Sequence, residues 1–171
     1  MHPPEQHRKH GLRSVRCAVV TVSDSRTPST DAGGDLLVEL FEGAGHTIGL
    51  RALHPDEPAV VRAAVEQAIA SGTVDAVVTT GGTGLGVRDS TYEAIESLLE
   101  KQLPGFGELF RSLSYAEIGA AAMLSRATAG VCRGCIIIAL PGSPDAVRLA
   151  MNKLILPELG HMVGVARHRS G

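Results

Sequence analysis

The stretch Asp75-Ala76-Val77-Val78-Thr79-Thr80-Gly81-Gly82-Thr83-Gly84-Leu85-Gly86 decides how this chain folds. Its first half is a short, β-prone run with little polar alternation, as expected of a strand buried on both faces of a parallel sheet. Its second half is a glycine loop. Just beyond, Ser90-Thr91-Tyr92-Glu93 has capping-box spacing and predicts a helix from about Thr91 to Lys101. A buried strand feeding a helix through a glycine turn is the repeating step of a β-α-β fold.

The same step recurs outward in both directions. Cys17 to Val22 is a second β-prone run, followed by a polar loop to Gly34 and a helix carried by Leu37, Leu40, Phe41 and Ala44. Thr47 to Leu53 is a plausible strand. His54-Pro55-Asp56-Glu57-Pro58 turns into a helix with Val61, Ala64, Val65, Ala68 and Ile69 on one face. Asp56 suits its N-cap, and Pro58 its first turn. Towards the C-terminus, Pro104-Gly105-Phe106-Gly107-Glu108 reads as a break. Ser114-Tyr115-Ala116-Glu117 reads as the cap of a short helix ending near Met123. Strands near Thr128–Val131 and Cys135–Leu140 flank a tight Arg133-Gly134 connection. After Pro141-Gly142-Ser143-Pro144 comes a last helix with Val147, Ala150, Met151, Leu154 and Ile155 at helical spacing. Alternation of this kind predicts an α/β fold, a three-layer α/β/α sandwich with a mainly parallel sheet. Residues 1–14 read as a flexible arm, 15–160 as one domain and 161–171 as a tail.

The composition of the 171 residues narrows the function. Hydrophobic residues make up 44% and charged residues 20%, with three Phe, two Tyr and no Trp, so aliphatic side chains must build the core. A net charge of −2, with basic clusters only at the two ends, points away from nucleic acid. No apolar run is long enough to span a membrane, and the polar N-terminus does not read as a secretory signal, so a cytoplasmic protein is expected. Three cysteines make no disulfide framework, and the lone Cys132-x-x-Cys135 pair beside a strand reads as reduced thiols. The seven histidines show no metal-binding spacing; His2, His7 and His10 lie in the arm.

Chemistry in such sheets sits beyond the carboxyl ends of the strands. Four loops meet that condition: Ser23-Asp24 to Gly34, His54 to Glu57, Gly81 to Asp89, and Pro141 to Pro144. The glycine loop could cradle a phosphate on its backbone amides, or simply be a tight turn. It is neither a P-loop, lacking Gly-Lys-Ser/Thr, nor the dinucleotide fingerprint, since Val87 stands where a third glycine belongs. Arg88 could supply positive charge beside the loop, and Asp89 could hold Mg²⁺ together with phosphate oxygens. Alternatively the two form an exposed ion pair. Asp56 is either a second metal carboxylate or a plain cap. Ser143 either donates to a phosphate oxygen or caps the last helix.

Six ordered segments together resemble the MoaB/Mog family of molybdenum-cofactor biosynthesis proteins. They are Thr21-Val22-Ser23-Asp24, Thr79 to Gly84, Arg88-Asp89, Pro104 to Glu108, Leu124-Ser125-Arg126-Ala127, and Leu140-Pro141-Gly142-Ser143-Pro144. The resemblance spans roughly residues 15 to 160. It implies molybdopterin binding, a trimer or a hexamer of paired trimers, and, in catalytic members, adenylylation of the pterin phosphate by Mg-ATP with release of pyrophosphate. It further implies Asp89 and Asp56 as the catalytic and Mg²⁺-binding carboxylates. Ser23, Asp24, Gly81, Gly82, Thr83, Gly84, Arg88, Glu108, Arg126, Pro141, Gly142 and Ser143 are implied to bind pterin or nucleotide. Many relatives carry serine where this chain has Gly33, so a hydroxyl is missing there. Retention of Arg88-Asp89 favours the adenylyltransferase over the alternative, a non-catalytic molybdopterin carrier.

Overall fold

The computed structural model describes residues 11–167. Fourteen elements run along it, beginning with β1 (Arg16–Val22), α1 (Ala32–Gly43), β2 (Thr47–His54), α2 (Pro58–Ala70) and β3 (Ala76–Thr80). Then follow α3 (Thr91–Glu96), β4 (Lys101–Gln102), α4 (Pro104–Ile118) and a 3₁₀ turn (Gly119–Leu124). The hairpin β5 (Thr128–Cys132) and β6 (Cys135–Leu140) leads to α5 (Pro144–Ala150), which passes through a π turn (Met151–Ile155) into α6 (Leu156–Arg167). The six strands form one sheet in the order β2-β1-β3-β6-β5-β4. Strands β2, β1, β3 and β6 are mutually parallel, and β5 and β4 pair antiparallel at the far side.

Alternating side chains of the central strands feed two separate cores. Cys17, Val19, Ala76, Val78, Ile136 and Ile138 face α1, α4, α5 and α6, where Leu37, Phe41, Phe110, Val147, Ile155 and Leu159 fill the space. Ala18, Val20, Val77, Ile137 and Ala139 face α2 and α3, represented by Val61, Val65, Ala94 and Ile95. Helices on both faces of a mainly parallel sheet give the three-layer sandwich that the sequence predicts. The central strands carry almost no exposed surface, which explains their lack of polar alternation.

The C-terminal half departs from expectation in several places. Helix α3 ends at Glu96 rather than Lys101, because Lys101 and Gln102 pair with Val131 and Gly130 as β4. The capping box does not form: Ser90 makes no side-chain bond to the first helical turn. Pro104 does not break a helix but begins one, at the first position, where proline's missing amide leaves no bond unmade. Ser114 lies buried inside α4 rather than capping a new helix, and Phe106 and Phe110 stack at 6.5 Å on the buried face. Residues 161–167 of the expected tail are helical, and 168–171 lie outside the described residues. Helix α6 runs to Arg167 with Leu159 and Val163 fully buried, and Arg167 pairs with Asp75. Of the expected arm, residues 1–10 lie outside the described residues, whereas the amide of Leu12 donates to Gly160 O.

Asp75 fastens this arrangement. Its carboxylate accepts from the Arg16 amide at 2.9 Å, from Arg16 Nη2 at 2.7 Å, and from Arg167. Burial alone would raise its pKa, but these partners hold it below the usual carboxylate range. The strand β3 is thereby registered against β1 and clamped beneath α6, and it delivers the chain into Gly81.

Candidate functional site

Parallel pairing places the ends of β1, β2, β3 and β6 along one rim, and their following loops enclose a cleft of about 480 Å³. Its floor is the glycine loop. Gly81 and Gly82 have φ of +99° and +68°, a region that residues with a side chain rarely enter. A Cβ on Gly81 would collide with the Val22 carbonyl. One on Gly82 would collide with Thr91 Oγ1 and reach within 2.5 Å of Asp56 Oδ2. These two glycines are required by both conformation and space. The amide of Gly81 is spent on Leu140 O, while those of Gly82, Thr83 and Gly84 donate to no acceptor among the described residues. Consecutive unpaired amides around left-handed glycines form an anion nest.

Arg126, itself on the wall of the cleft, holds this loop in shape. Its Nε donates to Thr83 O at 2.8 Å and its Nη2 to Gly84 O at 2.6 Å. Glu93 pairs with the same guanidinium, which also lies 4.9 Å over the Tyr92 ring. The Arg126 partner holds the Glu93 carboxyl below its usual range. A carbonyl shares its peptide plane with the next residue's amide, so these bonds fix the planes that carry the Gly84 and Leu85 amides, and the bond from the Thr91 amide to Gly82 O fixes the plane of the Thr83 amide.

The carboxylates divide into committed and available ones. Asp24 is committed: it accepts from Arg88 Nε at 3.1 Å, from Arg88 Nη2 at 3.2 Å and from the Asp56 amide at 3.0 Å. The Arg88 guanidinium, then the Asp56 amide, pull its pKa down. Asp56 is 6% exposed and is not a helix cap; Glu57 occupies that position. Its Oδ1 instead accepts from the Ser90 amide at 3.1 Å and the Ser90 hydroxyl at 2.7 Å, leaving Oδ2 without a partner among the described residues. Asp89 accepts from the Gly86 amide through Oδ2 at 2.8 Å, leaving Oδ1 available. Beside Asp56, the buried Thr91 Oγ1 has no hydrogen-bond partner among the described residues. Two carboxylates with one available oxygen each, next to an anion nest, fit the oxygen donors that Mg²⁺ takes together with phosphate. Among the described residues no group of three or more His, Cys, Asp or Glu gathers into a protein-only metal cage.

Most of the predicted residues meet in this cleft: Ser23, Asp24, Asp56, Gly81, Gly82, Thr83, Gly84, Arg88, Asp89, Arg126, Pro141 and Gly142 all line it. Two do not. Glu108 is exposed on α4 in a separate depression with Tyr92 and Arg111, because α4 packs towards β5 rather than the strand ends. Ser143 lies outside the cleft, and its Oγ accepts from the Ala146 amide at 3.2 Å as the cap of α5. Arg88 forms no pair with Asp89 and is 65% exposed against Asp24, so its charge is already matched.

Sequence reasoning assigned neither Arg26, which lines the cleft, nor Glu93, which pairs with the lining residue Arg126. Arg26 reaches across the rim, and its Nη2 donates to Gly142 O at 3.1 Å. The signal was a basic residue in the loop after β1, but nothing local says which way it points. Gly33, where a serine is expected, faces Gly142 O, Arg26 Nη1 and Thr80 Oγ1, at 3.2 to 3.5 Å from an ideal Cβ. The Cys132 and Cys135 thiols are buried partners across the hairpin, and burial pushes both pKa values up, as expected of inert reduced thiols. No helix among the described residues is long and apolar enough to cross a membrane.

Comparison with known proteins gives a consistent picture. The family described as "Probable molybdopterin binding domain" matches residues 18–161. The molybdenum cofactor biosynthesis protein B of Bacillus subtilis is 49% identical over 160 residues, covering 93% of this chain and 94% of its own. That of Bacillus anthracis is 50% identical over 158 residues, covering 92% and 94%. A crystal structure of a molybdenum cofactor biosynthesis protein B superposes with a TM-score of 0.89 at 48% identity, covering 91% of this chain and 98% of that one. The tungsten cofactor synthesizing protein MoaB from Pyrococcus furiosus superposes at 0.83 with 38% identity, covering 92% and 99%.

Proposed function

Because this chain belongs to the MoaB/Mog family of molybdenum-cofactor biosynthesis proteins, we propose that it adenylylates molybdopterin with Mg-ATP in the cytoplasm, as a trimer or hexamer. One observation carries the reading: a nest of three unpaired amides faces two carboxylates that each keep one available oxygen, in a single cleft. A carrier needs the nest alone. Carboxylates poised beside it add nothing to anion binding unless a cation joins them, since they repel phosphate.

In the proposed reaction the terminal phosphate oxygen of molybdopterin attacks the α-phosphorus of ATP. A new P–O bond forms, the bond from the α-phosphorus to the bridging oxygen breaks, and pyrophosphate leaves with that oxygen and the electron pair. Positioning and neutralisation of charge account for most of the acceleration in such transfers. The chain contributes both. Gly82, Thr83 and Gly84 offer amides to phosphate oxygens, with the Gly84 plane held by Arg126 and the Thr83 plane by the bond from the Thr91 amide to Gly82 O. The bonds from Ser90 fix the rotamer of Asp56, and that from Gly86 fixes Asp89. Both would hold Mg²⁺, which when bound supplies positive charge to the transferring phosphate.

The test is incubation with molybdopterin and Mg-ATP, following pyrophosphate and adenylylated pterin. The native chain should form both, and Asp89→Asn should lower the rate about 100-fold or more. Tight pterin binding by the native chain with no pyrophosphate would replace this reading with that of a carrier.

A further inference from the structure

Three arginines line the cleft, and their bonding separates them. Arg88 is matched by Asp24, and Arg126 is matched by Glu93 and occupied with loop carbonyls. Arg26 has no carboxylate within ion-pair distance among the described residues. Among the described residues its one side-chain bond is to the Gly142 carbonyl, through Nη2, so Nε and Nη1 meet no acceptor there. The guanidinium is held in place rather than waving in solvent: it is part-buried, and the Arg26 amide is tied to Ser23 Oγ at 3.1 Å. It also lines the same cleft as the nest. An ideal Cβ on Gly142 would sit 3.3 Å from Gly81 Cα and 3.9 Å from Arg26 Nη2, so the guanidinium lies no further from the first residue of the glycine loop than those two distances together. The absence of a Cβ at Gly33 leaves open the space in front of Nη1.

A fixed, unmatched cation in one cleft with unpaired amides is incomplete without an anion. We propose that Arg26, and not Arg88, is the cation that receives the phosphate group seated on the Gly82–Gly84 amides. The inference rests on the reading of the cleft as a phosphate-transfer site. It adds the residue that sets affinity for the anionic end of the substrate. The phosphate is either the monoester of the pterin or part of the nucleotide triphosphate, and the two can be told apart.

The experiment measures Kd for molybdopterin and, separately, for Mg-ATP at several ionic strengths, with native protein, Arg26→Gln and Arg26→Lys. Glutamine keeps a donor for the Gly142 carbonyl while removing the charge. Arg26→Gln should weaken one or both ligands about 10- to 100-fold and flatten the dependence of log Kd on ionic strength. Arg26→Lys should recover part of the affinity and the salt dependence. Loss in the pterin arm alone, or in the nucleotide arm alone, assigns the phosphate to that source. Unchanged Kd in both arms overturns the proposal. So does a loss with unaltered salt dependence, which would make Arg26 a brace for the Gly142 loop. Binding is read without turnover, so a native protein that releases no pyrophosphate yet binds through Arg26 would defeat the adenylyltransferase reading and leave this one standing.

Discussion

Gly82 shows how much one missing Cβ can carry. Its left-handed φ lets the chain turn from β3 towards α3, and its bare Cα lets Asp56 and Thr91 approach from the other side. Gly82→Ala should therefore lose about 2 kcal/mol or more of stability, from backbone strain together with the two collisions. Urea denaturation would measure it, and the variant should also bind anions poorly because the nest is displaced. Asp56 makes a related point. The positions before α2 suggest a helix cap, but the side chain turns away to Ser90, on the loop after β3. A capping role is satisfied by neighbours in sequence, whereas a site role is defined by neighbours in space. Local pattern therefore supports the first even where the second holds.

Among the elements, the β5–β6 hairpin is the clearest product of local sequence. Arg133 and Gly134 form a two-residue connection with φ of +50° and +78°, matching the twist of the flanking strands. Arginine pays strain there that asparagine largely avoids, and its pair with Glu66, at 3.9 Å between exposed groups, contributes little. Arg133→Asn should raise stability by about 0.5 to 1 kcal/mol, seen as a higher urea midpoint with an unchanged slope. The segment from Ser90 to Leu124 is the opposite case. Ser90 and Glu93 have the spacing of a capping box, yet each is drawn to a distant partner, Asp56 and Arg126. Helix α3 still starts at Thr91 but ends at Glu96, where the chain goes on to pair with β5 as the edge strand β4. A capping box contributes about one kcal/mol, less than the tertiary bonds that replace it here.

For the whole molecule, the meeting of the N-terminal segment with the α1–β2 turn predicts a pH response. His46 is buried, 6.1 Å and edge-on to Phe41, and its Nδ1 accepts the Val15 amide at 3.2 Å. Burial lowers its pKa beneath 6.5, so the folded chain holds the neutral ring while the unfolded chain takes up a proton near 6.5. The unfolded state then binds more protons, and stability falls as pH drops below about 6.5, with little change from this group above it. Melting temperatures between pH 7.5 and 5.5 should show the decline. His46→Gln, which keeps an acceptor but does not titrate, should show a shallower one. Equal slopes for the two proteins would refute this origin.

The amino-acid sequence by itself determined the layered α/β fold, the central strands, the glycine loop and the family. Strand burial, helix periodicity and left-handed glycines are written in residues a few positions apart. Six ordered segments also hold their spacing across most of the chain. Only the tertiary structure decided which charges remain available. It matched Arg88 to Asp24, set Arg126 against the loop carbonyls, excluded Glu108 and Ser143 from the cleft, and left Arg26 unmatched. The reason is physical: a charge is neutralised by whatever lies within a few ångströms, and residues 24 and 88 become neighbours only when β1 and β3 pair in parallel.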